Sequence, residues 1–108
     1  MVKKISEIKK IVRAYKEELK RHNIHVTKTI LYGSYARGNA KPHSDIDLIV
    51  ISPDLARFSP LKRQELLARL TIPINAPLEI LGYTPAELKK SSHTIFGQII
   101  RETGKLLY

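Results

Sequence analysis

GSYARGNAKPHSDIDLIV, residues 33–50, is the stretch on which the reading of this chain turns. The segment before it, VTKTILY (26–32), is rich in β-branched residues and stops at a glycine, the pattern of a strand entering a tight turn. Residues 34–37 then open a short helix, GNAKPHS forms a polar loop, and DIDLIVI (45–51) is the most apolar segment and reads as a central strand. Strand side chains alternate, so Asp45 and Asp47 share a face about 6–7 Å apart, while Ile46, Leu48 and Val50 point into a core. Two carboxylates on one face are costly unless neutralised. A divalent cation such as Mg²⁺ does this, and it bridges to phosphate; solvation or pairing with Arg37 is the alternative. Gly33 permits a close backbone approach. Ser34 adds a hydroxyl and leads into a helix N-terminus, whose free N–H groups bind phosphate. On average residue usage, chance gives this four-residue pattern in roughly one chain of this length in a thousand, which favours a phosphate site facing a metal site over a folding turn.

Working outward, Ile5, Ile8, Ile11, Val12, Tyr15 and Leu19 form one apolar face of a helix over about 6–22, with Ser6 as N-cap and Asn23 at its end. Residues 60–70 place Leu61, Leu66, Leu67 and Leu70 at helical spacing behind Pro60. PLEILGY (77–83) reads as a third strand, and Thr84-Pro85-Ala86-Glu87 has the form of a capping box. A last helix over about 94–103 puts Ile95, Ile99 and Ile100 on one side and ends at Gly104. The order α-β-α-β-α-β-α-α predicts a small α/β or α+β layer with few strands in one domain, residues 1–108.

Composition narrows the function classes. The 108 residues include no Cys, which excludes disulfides, thiolate metal sites and Cys nucleophiles. No apolar run reaches the roughly 18 residues of a membrane span, and the charged MVKKISEIKK start lacks a signal-type apolar core, so a cytoplasmic protein with no membrane association is expected. Lys+Arg 19 against Asp+Glu 10 gives a net charge of +9. Residues 1–22 hold eight basic and three acidic residues, either a solvated helix face or a surface for polyanions such as nucleic acid. There is no P-loop run and no zinc pattern. His43 and His93 read as solvent-facing, His43 with nucleotide contact as its second reading.

A third carboxylate, Glu79, projects opposite the core residues Leu78 and Ile80 and joins the acidic face if its strand lies in register beside 45–51; otherwise it is an exposed strand-edge residue. There it would hold a second metal or take the proton of an attacking hydroxyl.

Residues 33–50 resemble the signature of the DNA polymerase beta-like nucleotidyltransferases: Gly-Ser, ten residues, Asp-x-Asp, then a third carboxylate. Ala-Arg-Gly at 36–38, Ser-Asp-Ile-Asp-Leu at 44–48, LEILGYTPAEL (78–88) and GKLLY (104–108) are similar to the minimal nucleotidyltransferase subfamily. The resemblance implies a small mixed β-sheet with helices packed on one face. It implies that Gly33 and Ser34 bind the β/γ-phosphates of a nucleoside triphosphate, most simply ATP, and that Asp45 and Asp47 hold two Mg²⁺ ions, with Mn²⁺ as a substitute. Glu79 stands where the family usually has Asp, one methylene longer, as catalytic base or metal ligand. Arg37 contacts phosphate or pins the loop to Asp45 or Asp47. The implied activity is transfer of a nucleoside monophosphate, AMP from ATP, to an acceptor hydroxyl. The subfamily also implies a partner, a small all-helical HEPN ribonuclease in a toxin–antitoxin pair in which this chain is the antitoxin; a homo-oligomer is the other way to complete a site on so short a chain. The competing readings are a non-catalytic module that keeps the fold to bind a helical partner, favoured by Glu79, and a nucleic-acid-binding protein using the basic first helix.

Overall fold

The computed structural model describes residues 2–107; Met1 and Tyr108, the last residue of the GKLLY stretch, lie outside the described residues. Five helices, α1 (Ile5–Arg21), α2 (Gly33–Arg37), α3 (Pro60–Arg69), α4 (Pro85–Ser91) and α5 (Ile95–Thr103), alternate with four strands. The strands are β1 (Lys28–Tyr32), β2 (Ile46–Ile51), β3 (Leu78–Tyr83) and β4 (Lys105–Leu106), and a 3₁₀ helix spans Pro53–Arg57. The sheet order is β3-β2-β1-β4, with β1 antiparallel to both β2 and β4, and β2 parallel to β3. The mixed sheet matches the expected fold class. The two-residue β4 escapes a sequence reading because it has no alternation of its own; it pairs Leu106 with Ile30 and Lys105 with Leu31.

The larger core lies on the face of the sheet lined by Leu31, Ile46, Leu48, Val50 and Ile80. α1 seals it with Ile8, Val12, Tyr15 and Leu19, all buried. At about 1.5–3 kcal/mol per buried large side chain, these four contribute on the order of 6–12 kcal/mol, which decides the pose of the helix against its weaker local signals. The Tyr15 hydroxyl donates to the Leu67 carbonyl at 2.8 Å, tying α1 to α3, and burial pushes its phenol pKa up. Ser6 is not the cap of α1. The helix starts at Ile5 behind Lys4, whose N–H donates to the Glu7 carboxylate at 3.3 Å, so the first turn closes before Ser6 is reached. The C-terminal end follows the expectation, with Asn23 in the left-handed region at φ 62°.

α1 and α3 cover one face, as expected; a second, smaller layer covers part of the other. There Ile49, Ile51 and Ile100 are buried, with Ile30, Leu81, Tyr83, Leu88 and Phe96 packed against them. The apolar half of this face needs a cover, and α4 and α5 supply it. Within α5 the buried residues are Gly97 and Ile100, while Ile95 (79% exposed) and Ile99 (44% exposed) remain in solvent rather than sharing the buried side. Leu61 is exposed too, and in its place α3 buries Arg63.

The open edge of β3 is closed by side chains. Gln64 Nε2 donates to the Ile80 carbonyl (3.0 Å) and the Gly82 N–H donates to Gln64 Oε1 (3.3 Å), so a side-chain amide stands where a neighbouring strand would pair. Arg63 donates to both carboxylate oxygens of Glu87, at 2.6 and 3.2 Å, and to the Gly82 carbonyl at 3.3 Å. These hydrogen bonds hold the Glu87 carboxyl below its ordinary pKa. A lowered folded-state pKa means stability that is present above the unfolded value and lost as pH falls through the folded one. Glu87→Gln should therefore destabilise the fold at pH 7, by about 1–2 kcal/mol after discounting for a carboxylate that is 42% exposed, and lower the melting temperature accordingly. Thermal melts across pH 3–7 check this, with the gap to wild type closing at the acid end.

Candidate active site

β1 ends at Tyr32, and the chain turns at Gly33 straight into α2. The register places Tyr32 opposite Asp47, and Asp47 beside Glu79, so the three form one row across β1, β2 and β3. This row lies on the face opposite the main core, with Tyr32 meeting Phe96 of α5. Glu79 thus reaches the acidic face through parallel pairing in register. Asp45 precedes β2, which begins at Ile46, and is exposed; Asp47 is half-buried and Glu79 exposed.

Gly33 is wedged against Asp47. Its φ is +72°, the left-handed region that disfavours side chains, and a Cβ added there would stand 2.9 Å from Asp47 Cγ. The sequence-level reason for this glycine, close backbone approach, is therefore seen in both its dihedral and its contact. Ser34 is half-buried in the first turn of α2. Arg37 is exposed and makes no ion pair with a described residue, though its charge acts on Asp47. His43 and His93 are both exposed.

The electrostatics follow from this crowding. Burial raises the Asp47 pKa first, then the negative charges of Glu79 and Asp45, with Arg37 pulling the other way. Tyr32, which the sequence reading used only as a strand end, belongs to the site. Burial and the charges of Asp47, Glu79 and Tyr83 push its phenol up to about 12, so it stays a neutral O–H donor beside the carboxylates. Its ring meets Phe96 edge-on at 5.9 Å between centroids, and Phe96 lies 6.4 Å from the ring of Tyr83. Only the strand register brings Tyr32 to this place, and sequence periodicity does not fix register between strands.

The donor set suits a hard divalent cation. Carboxylates whose mutual repulsion favours protonation are stabilised by a positive charge between them. Among the described residues no three His, Cys, Asp or Glu side chains converge as a ready-made cage. Mg²⁺ does not need one, since it is usually held by one or two carboxylates together with waters and substrate phosphates.

This sheet, with its Gly-Ser turn set against an Asp-x-Asp strand, defines a nucleotidyltransferase. Residues 7–103 match the family described as nucleotidyltransferase domain, and the chain belongs to it. Its relatives include "Putative protein adenylyltransferase MJ1215" of Methanocaldococcus jannaschii, 45% identical over 64 residues that span 56% of this chain and 73% of the relative. Another is the protein adenylyltransferase MntA of Thermococcus cleftensis, 39% identical over 61 residues, or 54% of this chain and 61% of that protein. Among solved structures, a toxin-antitoxin with AMP-PNP superposes with a TM-score of 0.62 at 25% identity, covering 93% of this chain and 72% of that one. A "putative nucleotidyltransferase from Sulfolobus solfataricus" gives 0.59 at 18% identity, over 92% and 74% of the two chains, and shows the shared fold. No helix among the described residues is long and apolar enough to cross a membrane.

Proposed function

We propose that the chain transfers AMP from ATP to a hydroxyl of a partner protein, and that it does so as the antitoxin of a small helical HEPN-type toxin. The observation that carries the chemistry is the row Tyr32–Asp47–Glu79 pressed against the Gly33 turn. Gly33 and Ser34 receive the β/γ-phosphates, where a side chain at position 33 would leave no room, and Arg37 adds positive charge at the rim. Asp45 and Asp47 hold two Mg²⁺ ions, for which Mn²⁺ can substitute; when bound, the ions neutralise the triphosphate and polarise the reacting oxygens. Glu79 is placed beside Asp47 to accept the proton of the acceptor hydroxyl, and its extra methylene lets its carboxylate reach from an exposed position. The acceptor oxygen forms the new bond to the α-phosphorus, the bond from that phosphorus to the bridging oxygen breaks, and pyrophosphate leaves. Orientation and charge neutralisation supply most of the rate.

ATP as donor is supported by the adenylyltransferase names of the relatives and by the AMP-PNP in the similar toxin-antitoxin structure. A protein partner is supported by the toxin-antitoxin nature of the same structure and by the exposed Ile95 and Ile99 of α5, an apolar strip that a partner or a second copy would cover. Calorimetric titration with ATP, with and without Mg²⁺, tests the site. Wild type should bind only with the metal, and Asp45→Asn/Asp47→Asn should not bind. Failure of a folded wild type to bind, alone and with its partner, would leave a fold kept for partner binding.

A further inference from the structure

The face that carries the carboxylates holds a second feature at its other end. A cavity of about 520 Å³ opens between the sheet and the helices α4 and α5. Its floor is Ile30 and Ile51, and its walls are Leu88, Phe96 and Ile100. From Asp47 to Ile51 is four residues along β2, about 13 Å at ~3.3 Å per residue, and the near floor residue Ile30 is two residues from Tyr32 on β1, so the space adjoins the site without including its carboxylates. Phe96 belongs to both, lining the cavity and meeting the Tyr32 ring at 5.9 Å between centroids.

The hydroxyl groups of the lining already donate their protons to the backbone. The hydroxyls of Thr27, Ser91 and Ser92 donate to the carbonyls of Ile51, Leu88 and Lys89, at 3.0, 2.9 and 2.8 Å. What remains is apolar wall with three cations, Lys28, Lys89 and Arg101, all exposed. No acidic residue joins that lining, and none of the three cations is ion-paired to a described residue. The volume falls within the ~300–1,000 Å³ of small-molecule sites, and such sites take their specificity from a few charged groups around an apolar interior. The hydroxyl protons of the lining are thus already committed, and a cation would be repelled at the rim.

We propose that this cavity binds an amphipathic anion, a medium-length apolar chain or aromatic body with a carboxylate-type head held by Lys28, Lys89 and Arg101. Calorimetric titration with decanoate, and in parallel with decylamine, tests it without any nucleotide, so the result stands apart from that of the catalytic site. Decanoate should bind once per chain, at least tenfold more tightly than decylamine. In Lys28→Glu/Lys89→Glu/Arg101→Glu, whose changes are all on exposed side chains, the preference should reverse. Ser92→Phe, which places a ring in the cavity lining, should lose both ligands. Circular dichroism and melting temperature establish that each variant is folded. Equal affinity for the two amphiphiles, decanoate binding unchanged by the charge reversal, or no saturable binding by wild type would each overturn the proposal. The last result would leave the cavity to an apolar side chain of a protein partner.

Discussion

Asp47→Asn is expected to abolish nucleotidyl transfer and at the same time to raise the melting temperature. The loss should be roughly 10³-fold or more, equivalent to about 4 kcal/mol of transition-state stabilisation, because one carboxylate of the proposed metal-binding pair is gone. The gain in stability comes from the same charge. Asp47 is half-buried, and Glu79 and Asp45 act on it with like charge. Its folded-state pKa is raised, so the folded protein binds the proton more tightly than the unfolded chain does. Stability at this position therefore falls as pH rises from the unfolded carboxylate range through the folded pKa, opposite in sign to Glu87. The neutral amide removes that penalty. The variant should melt a few degrees above wild type at pH 7, with the difference shrinking as pH falls and wild-type Asp47 becomes protonated. Mg²⁺ should raise the melting temperature of wild type more than that of the variant. A variant that melts at or below wild type at pH 7, in metal-free buffer, would mean that the carboxylates do not strain the fold. Stability given up for activity in this way is a recurrent property of functional sites.

How far the sequence reveals this arrangement depends on whether a signal is local. Gly33, Ser34, Asp45 and Asp47 are legible because each is tied to the turn or strand in which it sits. The spacing of the two aspartates needs only the alternation of one strand to predict a shared face, although Asp45 stands just ahead of β2, which begins at Ile46. The capping box at Thr84 and Glu87 and the Pro60 start of α3 are equally local, and both are present. Glu79 is different: its approach to Asp47 needs β3 to pair with β2 in parallel and in one register, which the sequence posed only as a condition. Tyr32 escapes a sequence reading for the same reason, since its place beside the acids is a cross-strand fact. Helix faces went astray where tertiary packing overrode pattern. In α5 the sheet takes Phe96 and Ile100 and leaves Ile95 and Ile99 out, and in α3 the open edge of β3 draws in Arg63 and Gln64. A basic residue buried to close a strand edge has no signature in hydrophobic periodicity. Nor does the second helical layer, which exists because one half of the carboxylate-bearing face is apolar.

Gly33→Ala and Gly38→Ala separate what a left-handed glycine does for the fold from what it does for catalysis. Both residues lie at positive φ, +72° and +78°. An alanine at either costs about 1–2 kcal/mol of backbone strain, a fall of roughly 5–10 °C in melting temperature for a domain of this size. Their surroundings differ. A Cβ at Gly38 meets nothing within 4 Å, whereas at Gly33 it stands 2.9 Å from Cγ and 3.1 Å from Cβ of Asp47. The Asp47 side chain must then leave its place, and the surface of the turn proposed to face phosphate is filled by a methyl group. A displacement of about 1 Å in a reacting constellation costs roughly 10²-fold in rate, so Gly33→Ala should lose at least that much while Gly38→Ala keeps most of its transfer activity. A thermodynamic cycle isolates the contact. In an Asp47→Ala background the crowding against the carboxylate is removed and only the 3.1 Å contact with Cβ remains, so Gly33→Ala should then cost little more than the strain that Gly38→Ala costs, the difference between backgrounds being the coupling between Gly33 and the Asp47 carboxylate. Equal losses of activity at positions 33 and 38, or a Gly33→Ala penalty that is the same with and without the Asp47 carboxylate, would show that the glycine serves the turn alone.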